Sequence, residues 1–583
     1  MNNEIELHLP LDIPVSTAPR SSHASVPRTG PHALLARAQT RLVVLSAGFC
    51  GLFLLVALRL VDATLLQSGQ EVNALGPNPN AAAPVLRADI TDRNGEMLAT
   101  SLPTKSLYAD PKRIIDPVEA AKALAGALPD LSYEEILDKL TSTRRFVWLK
   151  RNLSPDEIYS VNALGQPGLE FQDENVRIYP AGSSVVHVTG VTDVDGHGLG
   201  GIERGLDTRL GTGGSAVALS LDLRLQHLME RELSAIKSFS AVGGTGMIMD
   251  IRSGELLAAV SLPDYAPGGL STAGEEARFN RFSLGTYELG SVMKIVNTAA
   301  ALESGRITLD SFFNAGEPIR YGRFTINDYH PVHRPLSVAE IFIYSSNICS
   351  ARMALEFGPA FQHDFICRVG LCETIKTELP ELGAPQIPSD WKEINAMTIA
   401  FGHGISITPL HLVRAAATTL NGGYLVTPTF LRHEAVTAPL GPSVLSARTS
   451  GLMRRIMRAN VTHEDGSGHS AEVPGYFVGG KTGTAEKTQG RRYSQNARIS
   501  SFLGAFPMDN PHYIVFAMVD EPKPNAQSYG FATGGWVAAP VVGKVIAQMA
   551  PLLGMAPRPV DDPAAREALS LDIRSRREQV ASY

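Results

Sequence analysis

The sequence predicts a multidomain chain of the α/β (α+β) class, in which an antiparallel sheet flanked by helices forms the largest domain. Strand-like segments stand at both ends of the region 216–550, and helical segments lie between them. A shorter region of mixed strands and helix precedes that domain, and an uncharged apolar run precedes both. A chain of 583 residues has room for three or four units, because domains average about 150 residues.

The first element along the chain is a predicted transmembrane helix. Residues 42–58 carry no charge and apolar residues resume after Arg59, so the run reaches the minimum of about 17 residues for a spanning helix. A cleaved signal peptide is the competing interpretation, but the charged leader of about 40 residues is too long for one and no small-residue cleavage site follows. We therefore expect a single transmembrane helix over 42–62.

The charges on either side of this run predict its orientation. Asp62 and a polar stretch follow the run, whereas four arginines precede it, and positive charge is retained on the cytoplasmic side. Residues 1–41 are therefore expected to form a flexible cytoplasmic tail. Residues 42–62 would anchor the chain in the cell inner membrane, and the residues after about 62 would be periplasmic. The arginines are Arg20, Arg28, Arg37 and Arg41.

The region 63–215 is predicted to form a separate module. Asn94-Gly95 between two apolar stretches is a strong signal for a β-hairpin, because this dipeptide adopts the turn that matches strand twist. A helix is expected over 117–128. At the other end of the chain, the charged residues 556–583 are expected to form a peripheral tail.

The region 216–555 is predicted to form the sheet-and-helix domain. Two hairpins are expected in it, one joining 247–251 to 255–261 and the other joining 500–506 to 513–520. Helix start and stop signals bound three main helices. The predicted helices cover 292–302, 338–357 and 412–420.

Ser291 and Lys294 are the first candidate catalytic pair. Ser291 stands at the start of a predicted helix and Lys294 lies three residues on, so both side chains share a face. A desolvated lysine with a lowered pKa can take the serine proton, and a helix N-terminus favours the developing negative charge. The four-residue pattern alone is weak, because residues 234–237 and 389–392 match it as well. We expect those two matches to lie on ordinary helix surface.

Two later motifs make the pair specific. Ser-Ser-Asn at 345–347 follows it, and Lys-Thr-Gly-Thr at 481–484 comes later still. Three motifs in this order are hard to obtain by chance. The order SxxK, SxN, KTG resembles the penicillin-recognising serine acyltransferases over the region from about 216 to 550.

The resemblance implies a penicillin-binding transpeptidase fold and an acyl-enzyme mechanism. The serine would attack a D-alanyl-D-alanine amide of a peptidoglycan stem peptide, release D-alanine, and leave an ester that an amine then opens. Carried over to this sequence, Ser291 is the nucleophile and Lys294 its general base. Ser345 and Asn347 would relay a proton and hold the substrate amide.

The third motif is assigned to substrate binding by the same resemblance. Lys481 completes the catalytic set and, with Thr482 and Thr484, would bind the carboxylate of the substrate or of a β-lactam, while Gly483 would leave room for substrate along the strand. The backbone N–H groups of Ser291 and Thr484 would form an oxyanion hole, whose single donors are typically worth about a hundredfold or more in rate.

The amino-terminal module resembles the pedestal, or dimerisation-type domain, of class B penicillin-binding proteins. The resemblance is carried by the segments 87–99, 177–182 and 201–203, and that class consists of monofunctional transpeptidases. Arg87, Arg177 and Glu203 are interpreted as salt links between domains rather than as catalytic residues.

Asn347 and the segments 402–409 and 520–523 resemble the division-specific, septal branch of that class. The elongation branch usually has Asp at the position of Asn347. This implies cross-linking of stem peptides at the division site, with β-lactams as inhibitors and a glycan polymerase and other division proteins as partners. Two alternatives stay open: an elongation-type transpeptidase, and a divisome scaffold or β-lactam sensor with little catalysis.

Other residue types offer weaker signals. His187, His330, His333 and His403 lack metal-ligand spacing, so neither a metal nor a cofactor is expected. The net charge of −6 gives no electrostatic case for nucleic acid. Cys367 and Cys372 could pair in an oxidising compartment or remain separate thiols, and the sequence leaves both open.

Overall fold

The computed structural model describes residues 47–57, 86–322, 324–433, 441–489, 492–526 and 528–573. The first segment is an exposed apolar helix, α1 (Ala47–Ala57). It lies inside the predicted transmembrane run; residues 42–46 and 58–62 of that run, and the predicted tail 1–41, lie outside the described residues. Within the described part of the chain, only Gly534–Leu552 is long and apolar enough to cross a membrane, and more than half of it is buried in the large domain.

The pedestal is built on a sheet centred on one long strand. Strand β2 pairs antiparallel with β1, β3 and β4, and β5 pairs parallel with β1. The strands are β1 (Ile90–Thr91), β2 (Met97–Ala109), β3 (Val147–Leu153), β4 (Leu169–Ile178) and β5 (Val217–Ala218). The helices are α2 (Pro117–Ala127), α3 (Tyr133–Leu140), α4 (Pro155–Ala163), α5 (Val186–Thr189), α6 (Gly201–Gly205) and α7 (Asp207–Gly211).

Local sequence explains where these elements begin. The predicted hairpin at 94–95 joins β1 to β2, and Gly95 adopts a φ of +92°, which a glycine reaches without steric cost. Helix α2 begins where predicted, because the Asp116 side chain accepts hydrogen bonds from two backbone N–H groups of its first turn and Pro117 fits the first helical position. The side chains of α2 and α3 then pack with β2 and β3 in a core of their own.

A buried Arg–Glu–Arg cluster ties the pedestal together. The Glu203 side chain is fully buried, and its carboxylate accepts from Nε of Arg87 at 2.6 Å and from Nε of Arg177 at 2.8 Å. Arg177 also donates to the backbone oxygens of Arg87 and Ala88. All of these residues lie within the pedestal, so the interpretation as links between domains is wrong: these charges join segments of one module.

The large domain contains a five-stranded antiparallel sheet with the order β12-β13-β14-β6-β7. Both predicted hairpins are present, as β6–β7 and β13–β14. The strands of this domain are β6 (Gly243–Asp250), β7 (Leu256–Leu262), β8 (Phe312–Asn314), β9 (Ile319–Tyr321), β10 (Phe324–Ile326), β11 (Pro335–Ser337), β12 (Gly479–Gln489), β13 (Arg492–Phe506) and β14 (Tyr513–Asp520).

Helices cover both faces of this sheet. The helices are α8 (Leu223–Leu233), α9 (Glu275–Arg278), α10 (Lys294–Glu303), α11 (Val338–Ile343), α12 (Asn347–Phe357), α13 (Pro359–Arg368), α14 (Glu393–Ile399), α15 (Pro409–Leu420), α16 (Ala447–Thr462), α17 (Gly534–Leu552) and α18 (Pro563–Leu569). Met247 and Met249 of β6 join the core formed with α10, α15 and α16, whereas Ile248 joins the core formed with α8 and α17. The two cores lie on opposite sides of the sheet, because successive strand side chains point to opposite faces.

The helix predicted over 338–357 is two helices, α11 and α12, separated by residues 344–346. Ser345 in this break has a φ of +56°, which a continuous right-handed helix cannot accommodate. Ser346 then caps α12, because its Oγ accepts a hydrogen bond from the backbone N–H of Cys349 at 3.0 Å. The prediction of one helix was wrong because the apolar periodicity continues across the break.

The pedestal and the large domain share a core. Ile90 and Leu98 of the pedestal belong to the same buried cluster as Met247 and Val296 of the large domain. Strand β5 follows the predicted boundary at 215, yet pairs with β1 of the pedestal. The chain therefore passes between the two modules as sheet structure.

The structure defines two further features: the cysteine pair, which the sequence left open, and the C-terminal segment, which was predicted to be peripheral. Cys367 and Cys372 form a disulfide that joins the end of α13 to the next loop. The predicted C-terminal tail, 556–583, contains α18, whose Ala565 and Leu569 are buried in the main core. Residues 574–583 of the tail lie outside the described residues.

Candidate active site

Ser291 lies in a short 3-10 turn, Gly290–Met293, that leads directly into α10. Gly290 has a φ of +62°, and a Cβ there would lie 2.8 Å from the carbonyl oxygen of Thr484. Both the backbone conformation and the close approach of β12 therefore require glycine before the serine. The Ser291 side chain is half-buried, as a nucleophile facing a cleft would be.

Lys294 begins α10 one turn after Ser291, and only 1% of it is exposed. Its Nζ lies 3.0 Å from Oγ of Ser291 and 3.1 Å from Oγ of Ser345. It also donates to the backbone oxygen of Ser345 at 2.6 Å and to Oδ1 of Asn347 at 2.7 Å. The structure thus brings three of the predicted site residues around the nitrogen of a fourth.

The environment of Lys294 favours the neutral amine. Burial lowers the pKa of Lys294 well below its usual value, and the charge of Lys481 lowers it further, while Asp328 opposes the shift. A neutral amine has two N–H groups, and the two carbonyl oxygens around Nζ accept both of them. Its lone pair is then left for a hydroxyl proton, and Ser291 supplies one at hydrogen-bond distance.

Asp328 is a site residue that the sequence analysis missed. Its carboxylate accepts from the backbone N–H groups of Asn347 at 2.5 Å and Ile348 at 2.9 Å, and from Oγ of Ser346 at 2.7 Å. It is 9% exposed and sits at the N-terminus of α12, where negative charge is favoured. Asp328 therefore fixes the turn that presents Ser345 and Asn347. It lies in a loop between short strands, and no motif of the sequence marks it.

Lys481 and its neighbours lie on β12, an edge strand of the sheet. The Lys481 side chain is fully buried, and its Nζ lies 5.5 Å from the centre of the Phe342 ring. Burial lowers the pKa of Lys481 to about 7. An edge strand leaves backbone groups on its outer side without a strand partner, so an extended peptide can lie against it.

The two threonines of the motif have polar neighbours. Thr482 Oγ1 lies 2.7 Å from Oγ of Ser467, and Thr484 Oγ1 accepts from the backbone N–H of Gly534 at 3.1 Å. Ser467 is a second residue that the sequence analysis missed, and its flanking glycines were the one available signal. Asn460 holds this loop, since its side chain contacts both Ser467 and the backbone oxygen of Gly480.

Gly483 is enclosed by the protein itself. A Cβ at this position would lie 2.4 Å from Oγ of Ser501 and 2.7 Å from the backbone oxygen of Leu289. The first residue of α17, Gly534, packs equally closely against Gly483. A side chain at this position would thus collide with its neighbours, so close packing requires glycine here.

The two other serine–lysine matches lie away from this cluster. Lys237 is exposed on a short 3-10 helix, and the side chain of its partner Ser234 donates to the backbone of Glu230. Lys392 is exposed and pairs with Asp390. Both matches are surface features, as predicted, but residues 389–392 lie in the loop before α14 rather than on a helix.

The histidines occupy varied surroundings. Burial, reinforced by the charge of Lys294, lowers the pKa of His403 to about 4. His187 is also buried, whereas His330 and His333 are exposed. Among the described residues, the one group with the spacing of metal ligands is His363, Cys367 and Cys372, in which the two cysteines are bonded to each other.

Comparison with known proteins supports the division of the chain into two domains and identifies its relatives. The model of the penicillin-binding protein transpeptidase domain matches residues 244–547, and that of the penicillin-binding protein dimerisation domain matches residues 82–210. The probable peptidoglycan D,D-transpeptidase FtsI of Caulobacter vibrioides is 40% identical over 80% of this chain and 82% of its own length. Peptidoglycan D,D-transpeptidase FtsI of Escherichia coli is 30% identical over 79% and 82%, respectively.

A solved structure shares the fold. Penicillin-binding protein 3 of Mycobacterium tuberculosis, complexed with aztreonam, matches with a TM-score of 0.65 and 24% identity over 82% of this chain and 98% of its own. The sequence relatives, the matched domain models and the site around Lys294 all point to the same family. This chain belongs to the penicillin-binding protein family, as a class B member that joins a dimerisation domain to a transpeptidase domain.

Proposed function

We propose that this protein is a peptidoglycan D,D-transpeptidase that cross-links stem peptides during septal wall synthesis, through an acyl-enzyme on Ser291. The observation that carries the proposal is the contact between Ser291 Oγ and a buried Lys294 whose pKa is lowered. Relatives of this chain carry the name peptidoglycan D,D-transpeptidase, among them FtsI of Caulobacter vibrioides and of Escherichia coli. The septal role is drawn from that name and from Asn347 in the second motif.

Acylation uses Lys294 as the base. Ser291 Oγ bonds to the carbonyl carbon of the penultimate D-alanine while its proton passes to Nζ of Lys294. The C–N bond of the terminal D-alanine then breaks, and its nitrogen takes up a proton. Ser345 Oγ, 3.1 Å from Nζ, supplies the path for that proton from Lys294.

Deacylation runs the same steps in reverse with a different amine. An acceptor stem peptide brings its amine to the ester carbon, a C–N bond forms, and the C–O bond to Ser291 breaks. The proton lost by the amine returns to Ser291 through Lys294. Asn347 holds Lys294 through Oδ1, so both half-reactions use one fixed nitrogen.

Strand β12 would hold the donor peptide. Lys481, Thr482 and Thr484 lie along the side of the site where the carboxylate would bind, and the donor adds to the open edge of the strand. The backbone N–H groups of Ser291 and Thr484 would stabilise the oxyanion. The close packing of Gly290 on Thr484, where a Cβ would lie 2.8 Å from the carbonyl oxygen, is consistent with this.

The placement in the cell is part of the proposal. We assign 1–41 to a cytoplasmic tail, 42–62 to a transmembrane helix, 63–215 to the pedestal, 216–555 to the periplasmic transpeptidase domain and 556–583 to a C-terminal tail. A glycan polymerase and other division proteins are the expected partners. A scaffold or sensor role without catalysis is disfavoured by the complete Ser291–Lys294 pair.

Labelling with a fluorescent penicillin tests the assignment. The wild type should be labelled covalently, and Ser291→Ala and Lys294→Ala should both lose the label. Lys237→Ala is the matched control, because Lys237 has the same spacing from a serine but is exposed, and it should label like wild type. Persistent labelling of Ser291→Ala would refute the proposed nucleophile.

A further inference from the structure

Asp465 lies between two of the catalytic motifs. Its Oδ2 accepts a hydrogen bond from the hydroxyl of Tyr344 at 2.9 Å, and Tyr344 immediately precedes Ser345. Two residues after Asp465, Ser467 contacts Thr482 of β12. The Asp465 carboxylate therefore lies between two parts of the site. One is the turn that carries Ser345, and the other is the loop beside β12, the strand that carries Lys481.

No cation in the described part of the chain neutralises this carboxylate. Among the described residues, the only basic atom within 4 Å is Nδ1 of His463, at 3.9 Å, and that nitrogen accepts a hydrogen bond from the backbone N–H of Asp465. At 3.9 Å this nitrogen is too far from the carboxylate to make a hydrogen bond with it.

The arginine beside Tyr344 is already engaged. The guanidinium of Arg334 lies 5.8 Å from the centre of the Tyr344 ring, but it pairs with Glu340 at 2.8 Å and donates to the backbone of Pro335. Arg334 therefore packs against the ring of Tyr344 without pairing with Asp465. The Asp465 side chain is 21% exposed, so a molecule entering from solvent can reach it.

Tyr344 orients the carboxylate. Burial and the hydrogen bond to Asp465 raise the pKa of Tyr344 to about 12, so the phenol stays a donor at neutral pH. With Oδ2 engaged by Tyr344, no hydrogen bond of the described protein engages Oδ1. A fixed carboxylate with a spare acceptor atom is a site for a cationic donor such as an ammonium group.

We propose that Asp465, oriented by Tyr344, binds the ammonium group of the acceptor stem peptide before it attacks the acyl-enzyme. The inference rests on the proposed function, because only the second half-reaction of a transpeptidase uses an amine. Asp465 is thus assigned to acceptor recognition, and Tyr344 is a positioning residue for it. The bound ammonium first releases one proton to solvent; the neutral amine then attacks the ester, and its second proton passes through Lys294 to Ser291 as the C–O bond breaks.

The test measures how the acyl-enzyme is partitioned between two nucleophiles. The full-length protein in detergent is acylated with a D-alanyl thioester, and the products of aminolysis are measured with D-alanine, which carries an ammonium group, and with hydroxylamine, which is neutral at neutral pH. In Asp465→Asn, the preference for D-alanine over hydroxylamine should fall about tenfold, the effect of one charge-assisted hydrogen bond. Tyr344→Phe should lower the same preference by a smaller factor.

Glu464→Gln is the matched control, because it removes the same charge from the neighbouring, exposed residue of the same loop. It should keep the wild-type preference. An unchanged preference in Asp465→Asn, or an equal fall in Glu464→Gln, would overturn the inference. Penicillin labelling separates the two proposals: a wild type that does not label contradicts the transpeptidase itself, whereas a labelled Asp465→Asn with unchanged preference contradicts only the acceptor site.

Discussion

Replacing Asp328 with Asn tests whether this buried carboxylate sets both the position and the protonation of the site. The asparagine keeps one oxygen for the backbone N–H groups of Asn347 and Ile348, but the acceptor is no longer charged. A hydrogen bond to a charged group exceeds a neutral one by about 1 kcal/mol, so the two bonds together lose about 2 kcal/mol. Because Asp328 is 9% exposed, solvent screens little of this loss.

If that loss is expressed in the placement of Ser345 and Asn347, the maximal rate of acylation falls about 30-fold. The substitution should also change the pH dependence of acylation. Asp328 raises the pKa of Lys294, so its removal lowers that pKa and leaves more neutral lysine at a given acidic pH. The acidic limb of the acylation rate should therefore move to lower pH while the plateau falls.

The assay is the rate of acylation by a fluorescent penicillin as a function of pH. Asp390→Asn is the matched control, since Asp390 is an exposed carboxylate paired with Lys392, and its profile should equal that of wild type. A fall of the plateau with no shift of the acidic limb would mean that Asp328 acts on packing alone. A limb that moves to higher pH, or an unchanged rate, would refute the reasoning.

Three other perturbations have expected outcomes. Glu203→Gln leaves two buried arginines with a weaker partner, so the free energy of unfolding should fall by about 3–5 kcal/mol. In the same denaturation experiment, Glu135→Gln, in an exposed pair with Lys139, should cost about 0.5 kcal/mol or less. Equal costs would contradict the role of the buried cluster. Gly290→Ala forces a Cβ to within 2.8 Å of the Thr484 oxygen at a φ of +62° and should abolish penicillin labelling, whereas Gly95→Ala, with a φ of +92° in open space, should keep it. A reductant should lower the stability of the wild type by about 2 kcal/mol, the value expected for a short closed loop, and should have no further effect on Cys372→Ser; identical responses of the two proteins would show that the Cys367–Cys372 bond contributes nothing.

The sequence identified the residues of the candidate site more accurately than it predicted the backbone that positions them. Ser291, Lys294, Ser345 and Asn347 were chosen from motif order, and the structure places all four at one nitrogen. The turn that makes this contact was not predicted, because a strained residue such as Ser345 leaves no mark on apolar periodicity. The helix predicted across it was therefore too long.

Residues with no motif of their own were missed for a related reason. Asp328 reaches the site from a loop between short strands, and Asp465 from the loop before β12. Acidic residues in polar loops are common, so their types and neighbours in the chain carry no signal. Only the fold places one at a helix N-terminus and the other beside Tyr344.

The sequence by itself determined the order of the domains, the antiparallel hairpins and the surface nature of the decoy lysines, which follow from turn residues and apolar periodicity. The order of three motifs, through the family resemblance it carries, proposed Ser291 as the nucleophile and Lys294 as its base. The tertiary structure decided which charges are buried together, why glycine is required at 290 and 483, and how far burial depresses the pKa of Lys294 and Lys481. Those properties depend on atoms distant in the chain, because desolvation and close packing are set by what folds against a residue.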